Sequence, residues 1–172
     1  SIVAKPAAET PLSALALAYL AQQAGIPAGV INILTTTDSA AVGKELTTNS
    51  AVRKLSFTGS TAVGKKLIQQ CADDVKRITL ELGGNAPFIV FDDADLDAAV
   101  EGAITSKFRN AGQTCVCANR FYVQRSVYAQ FAEKLAAKMQ TFVIGNGADD
   151  KVNVGPLISA KAIEKVKILV DD

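Results

Sequence analysis

The chain has 172 residues, 49% hydrophobic and 20% charged, with 18 Lys+Arg against 17 Asp+Glu and a net charge of +1. This is the composition of a globular α/β-type protein with a sizeable core; no basic run suggests nucleic acid as the main partner, and no apolar run approaches a membrane span. Histidine is absent, which removes Ser-His and Cys-His triads, histidine general bases and histidine metal ligands.

In chain order, Ile2 to Ala4 reads as a buried strand end that runs into a loop at Lys5-Pro6, and no signal peptide is expected. Thr10 is the predicted N-cap and Pro11 the first residue of a helix carrying Leu12, Leu15, Ala16, Tyr19 and Leu20, stopped by Gly25 and Pro27. Val30 to Leu34 is a continuous apolar run, as in a parallel strand covered on both faces. Ser39 is the expected cap of a short helix through Leu46. Lys54 to Phe57 is the next strand, followed by a helix from about Thr58–Gly64 to Cys71, and then a strand over Arg77 to Leu82. This β-α-β-α-β-α-β rhythm implies parallel strands with helices on both faces, and ligands at the carboxyl ends of the strands. Lys5 to Thr10, Thr58 to Gly64 and Glu81 to Gly84 are those ends.

The paired glycines Gly83-Gly84 allow a change of direction, and a domain boundary is expected there. Beyond it the reading gives a strand over Pro87 to Phe91, a helix from Asp95 to about Phe108, and then the loop that bears Cys115. A strand over Asn119 to Gln124, an amphipathic helix over Val127 to Phe142, a loop over Gly145 to Pro156 and a final helix capped by Ser159 complete the chain. The start without methionine and the end inside a helical pattern are expected of a fragment of a longer protein.

Three cysteines make no disulfide framework, so a reducing compartment, the cytoplasm, is expected. Cys115 and Cys117 would need two further ligands to hold zinc, so no metal is expected. Cys115 follows a polar loop with Arg109 and several amides, and it reads either as a thiolate nucleophile or as a structural cysteine. Thr58 to Gly64 reads as a phosphate cradle, with Gly59 allowing close approach and Ser60 donating, or as an ordinary capped helix start. Glu81 is a general base or a solvated carboxylate. Lys5 meets a ribose hydroxyl or phosphate, or is an edge charge. Arg109 clamps a substrate carboxylate or forms a surface ion pair.

Taken together, Lys5-Pro6-Ala7, Phe57-Thr58-Gly59-Ser60-Thr61, Glu81-Leu82-Gly83-Gly84-Asn85 and Gly112-Gln113-Thr114-Cys115 resemble, in order and spacing, the motifs of the aldehyde dehydrogenase superfamily. The runs Lys107 to Asn119 and Ala86 to Asp92 look most like its succinate-semialdehyde branch. The resemblance covers essentially the whole chain. It implies an α/β aldehyde-dehydrogenase-like fold. Residues 1–83 would be the C-terminal half of the cofactor-binding domain, a parallel Rossmann-type half sheet, and 84–172 the first half of the catalytic domain.

The resemblance also implies the chemistry: an NAD(P)-dependent oxidation of succinate semialdehyde, or a similar acidic aldehyde, to the acid through a cysteine thioester. Cys115 would be the nucleophile, and its N–H part of an oxyanion hole. Glu81 would activate the hydrolytic water. Lys5 would meet the adenine ribose, Ser60, in the Gly59 to Gly64 turn, the pyrophosphate, and the Leu82-Gly83 backbone the nicotinamide. Arg109 would hold the far carboxylate. Ala8 stands three residues after Lys5, where NAD-preferring members carry a glutamate; NADP is therefore expected to be accepted, with NAD the other candidate. The parent would be a homo-oligomer, and a second oxyanion donor and a ribose-binding glutamate lie outside this chain. An acylating semialdehyde dehydrogenase is the alternative that Glu81 speaks against, and a non-catalytic relative the one that Cys115 with Glu81 speaks against. Finally, Cys115 and Cys117 could form only a strained, readily reduced disulfide, so a reversible oxidative switch is expected.

Overall fold

The computed structural model describes all 172 residues, and they divide into two compact units, Ser1–Leu82 and Gly83–Asp172. The division falls one residue before the break expected after Gly83.

The first unit runs β1 (Ile2–Ala4), α1 (Leu12–Gln23), β2 (Ile31–Ile33), α2 (Ser39–Thr48), β3 (Lys54–Gly59), α3 (Thr61–Cys71) and β4 (Arg77–Leu82). The alternation is as predicted, and both pairings are parallel. The strands do not form one continuous sheet, however. β1 pairs only with β2 and β3 only with β4.

That pairing explains the first departure from expectation. Ile2 and Val3 are exposed rather than buried, and so are Val30 and Leu34. β1 has a partner on one edge alone, and α1 packs against β2 rather than over β1. The buried core lies at the other ladder instead, where Leu55, Leu67 and Cys71 pack with Leu46, Phe57 and Ile78. Each such aliphatic side chain removed from water stabilises the unit by about 1.5–3 kcal/mol.

Two caps also differ. Asp38, not Ser39, caps α2: its Oδ1 accepts from the Ala41 N–H at 3.0 Å. A carboxylate is favoured at the positive end of the helix dipole, so it displaces the neighbouring hydroxyl. Thr10 does not cap α1. Its N–H donates to the Ala7 carbonyl in a turn, and Pro11 takes the N-cap position without a side-chain bond. Behind β4, the Lys76 ammonium is buried and donates to the Asn49 carbonyl at the end of α2 (2.8 Å) and to Asp74 (2.6 Å). Burial pushes the adjacent Cys71 thiol pKa up; the Lys76 charge opposes this and Asp74 adds to it.

The second unit runs β5 (Ala86–Val90), α4 (Leu96–Phe108), β6 (Ala118–Val123), α5 (Arg125–Met139) and α6 (Ala160–Asp171). β5 and β6 pair in parallel across the α4 crossover. Asp95 caps α4, accepting from the Asp97 and Ala98 N–H groups, and Ser159 caps α6, accepting from Ala162. Val90, Val100, Ala103 and Phe131 form the buried centre, with Phe88 and Phe121 5.3 Å apart beside it. Lys134–Asp97 and Lys138–Glu101 ion pairs join α4 to α5 on the exposed side. The ladder slips between Ala86 and Pro87, so that Ala118 and Arg120 face consecutive β5 residues. Proline has no N–H for the ladder, and Asn119 in the bulge compensates: its Nδ2 donates to the Gly84 carbonyl at 3.1 Å.

Candidate active site

α4 ends at Phe108 and the chain enters a single tight turn, Arg109–Gly112. Three consecutive residues there are left-handed: Asn110 at φ 53°, Ala111 at 55° and Gly112 at 76°. Asparagine and glycine tolerate this region, but an alanine in it costs roughly 1–2 kcal/mol. The turn closes through the Gln113 N–H, which donates to the Asn110 carbonyl at 3.1 Å. The two amide side chains reinforce it. Gln113 Nε2 donates to the same carbonyl at 3.1 Å, and Asn110 Nδ2 donates to the Gln113 carbonyl at 3.3 Å.

Cys115 and Cys117 leave this turn with different fates. Cys115 is exposed and Cys117 is buried. The Cys117 sulfur lies 3.3 Å from the Gly112 carbonyl and 3.2 Å from that of Thr114, with Lys107 Nζ 4.0 Å away. Its thiol is thus committed to holding the loop, while the Cys115 sulfur is presented to solvent. Cys115 N–H makes no hydrogen bond within the chain. A Cβ placed on Gly84 would lie 3.5 Å from the Cys115 carbonyl, so the start of the unit runs beside the cysteine's main chain. Ser106 Oγ accepts from the Ala118 N–H at 3.3 Å and ties the far side of the loop to α4. Arg109 is exposed and forms no ion pair, so the surface salt bridge weighed against its clamp role is absent.

In the first unit the candidates sit at and just past the strand ends. Lys5 follows β1, and its Nζ donates to the Pro6 carbonyl at 2.6 Å. Ala7, Ala8 and Pro11, with Thr35, Thr36 and Thr37 from the end of β2, line a cavity of about 210 Å³. Ser60 caps α3, accepting from the Val63 N–H at 3.3 Å; its own hydroxyl proton stays free to donate. Gly59 lies against the Phe57 ring: a Cβ there would stand 2.4 Å from it. Gly64 is buried, and a Cβ there would stand 2.9 Å from a Leu82 methyl, so this glycine seats α3 on β4. Glu81 is exposed on β4 opposite Thr58. A Cβ on Gly83 would meet nothing within 4 Å, which leaves that backbone open.

Sequence patterns point to Cys115, Cys117 and Arg109 but give no role to Asn110, Gln113 or Ser106. The Asn-Ala-Gly run is a recognisable turn signal, since Asn and Gly favour positive φ. The partners of Gln113 and Ser106 carry no such local signature.

Parallel strand pairs joined through helices give both units the α/β class of fold. The aldehyde dehydrogenase family model matches residues 1–172, and the chain belongs to that family. It is 63% identical to the succinate-semialdehyde dehydrogenase (NADP+) GabD of Escherichia coli K12, over 100% of this chain and 36% of that protein. It is 62% identical to a glutarate-semialdehyde dehydrogenase of Pseudomonas putida, again over 100% of this chain and 36% of the relative. A crystal structure of an E. coli NADP-dependent enzyme superposes with a TM-score of 0.98 at 63% identity, covering 100% of this chain and 36% of that one. The chain thus spans about a third of the length of these relatives.

Proposed function

We propose that this chain carries the nucleophile, the general base and much of the cofactor-binding surface of an NAD(P)-dependent dehydrogenase. The substrate is succinate semialdehyde or a close acidic aldehyde. The observation that carries the reading is Cys115: an exposed thiol on a strained turn, with an unengaged N–H, beside a second cysteine whose sulfur is wholly occupied. Strained, non-glycine backbone of this kind is concentrated at functional sites.

The Cys115 thiolate attacks the aldehyde carbon, forming the C–S bond and an oxyanion that the Cys115 N–H stabilises. When bound, the nicotinamide cofactor supplies the hydride acceptor that converts this adduct to the thioester. Glu81 then takes a proton from water, whose oxygen attacks the thioester carbon; the acid leaves and the thiolate is restored. Arg109, with no ion-pair partner, is free to bind the substrate's distal carboxylate bidentately.

The residues present fit the cofactor. The cavity beside Ala8 is lined by methyl groups and threonine hydroxyls, with no carboxylate to repel a 2′-phosphate. Lys5 would meet the adenine ribose. The Ser60 hydroxyl would meet the pyrophosphate, held in place by Gly59 under Phe57 and by Gly64 on Leu82. The open Leu82-Gly83 backbone would face the nicotinamide. In this reading residues 1–83 and 84–172 are halves of the cofactor and catalytic domains, and the enzyme is cytoplasmic and homo-oligomeric. The expected reversible redox pairing of Cys117 with Cys115 requires the Cys117 sulfur to leave the Gly112 and Thr114 carbonyls, and it predicts that Cys117→Ala fails to recover from peroxide when thiol is added.

The test of the central claim is Cys115→Ala in the complete enzyme, assayed for reduced cofactor with succinate semialdehyde. Cofactor binding without turnover is expected; retained turnover overturns the assignment.

A further inference from the structure

We infer that Gln113 is a positioning residue for Cys115, one that fastens the nucleophile turn to the stretch leading into α6. The inference rests on Cys115 being the nucleophile, and it deepens that reading.

Side-chain packing holds the turn only weakly, because none of Arg109 to Gly112 is buried. It nevertheless keeps Asn110 and Ala111 left-handed, a conformation that persists only when the surroundings over-determine it. Hydrogen bonds must therefore hold it, and Gln113 supplies them in two directions. Its Nε2 closes the turn on the Asn110 carbonyl. Its Oε1 accepts from the Ile158 N–H at 2.8 Å, a partner 45 residues away. That second bond links the turn to the residue just before Ser159, the N-cap of α6. Phe108, the last residue of α4, also packs on Phe142 beyond the end of α5, with ring centroids 5.0 Å apart.

Cys115 lies two residues after Gln113 and is exposed, so its placement depends on the backbone that carries it. Its position is inherited from the turn. A shift of about 1 Å in a reacting atom can cost on the order of 100-fold in rate, so a residue that fixes the turn acts on turnover without touching the substrate.

The experiment compares Gln113→Leu and Gln113→Glu in the complete enzyme. Leucine loses both bonds. Glutamate keeps an oxygen for the Ile158 N–H but sets another against the Asn110 carbonyl. We expect kcat to fall on the order of 10- to 100-fold in the leucine variant, with KM for the cofactor held within about twofold, and an intermediate loss in the glutamate variant. The readout besides activity is the rate of iodoacetamide alkylation at Cys115, resolved by mass spectrometry. It should change at least about threefold in Gln113→Leu while Cys71 and Cys117 stay protected. Wild-type kcat and alkylation in that variant overturn the proposal. So does an activity loss that comes with exposure of Cys71 and Cys117, which assigns Gln113 to stability alone. Failure of the nucleophile reading is seen separately, as turnover in Cys115→Ala, because alkylation reports the setting of the thiol whether or not it does chemistry.

Discussion

Gly112 packs its bare α-carbon against the carbonyl of Lys107: a Cβ at residue 112 would stand 3.1 Å from that oxygen. With φ at 76°, the position is closed to other residues twice over, by backbone conformation and by contact. Gly112→Ala should therefore destabilise the protein by about 1–3 kcal/mol and reduce activity as the loop before Cys115 shifts. Gly147, with open space around it, is the control. Urea midpoints that fall equally for Gly112→Ala and Gly147→Ala would refute the contact.

Glu81→Gln should separate the two half-reactions. Acylation of Cys115 and release of one equivalent of reduced cofactor proceed, while hydrolysis stalls for want of a base. Stopped-flow absorbance should show a burst without steady turnover. A normal steady-state rate means that another group activates water.

Arg109→Ala should raise KM for acidic aldehydes far more than for neutral ones. The loss should be about 2–4 kcal/mol in kcat/KM if the pocket desolvates the carboxylate. Parallel losses for succinate semialdehyde and an uncharged aldehyde of similar length would remove the clamp.

Ala8→Glu should turn the enzyme against NADP. The new carboxylate would enter the threonine-lined cavity, where like charges facing one another cost several kcal/mol, so kcat/KM for NADP should drop by at least tenfold while NAD is spared. An unchanged NADP/NAD ratio would show that the 2′-phosphate lies elsewhere.

Thiol chemistry should follow burial. In the native protein one of the three cysteines, Cys115, should react promptly with a water-soluble reagent, and Cys71 and Cys117 only on unfolding. Burial raises the Cys71 pKa, so the thiol ionises more readily in the unfolded chain. Its contribution to stability is complete below the unfolded thiol's pKa of about 8.5 and is lost as pH rises from there through the folded value. Urea midpoints should therefore fall between about pH 8 and 10 more steeply in the wild type than in Cys71→Ala. Equal slopes would show that other groups govern the alkaline limb.

Much of this protein was legible in its sequence, because the signals were local. The alternation of strands and helices, the Ser159 cap and the β4 span Arg77–Leu82 all follow from short-range patterns that the structure keeps. The order of the motifs around Lys5, Ser60, Glu81 and Cys115 sufficed for the family. What local pattern could not decide was which partners each element finds. Ile2 and Val3 have the composition of a buried strand yet stand exposed, because burial depends on what covers a strand and β1 has one neighbour. The sequence marks Gly59 as a place that needs space, and only the structure shows the Phe57 ring beside its α-carbon, because a glycine records that space is needed and not what fills it. The separate fates of Cys115 and Cys117, with one residue between them, and the reach of Gln113 to Ile158 were set only when the turn folded back and distant backbone groups came within hydrogen-bond distance.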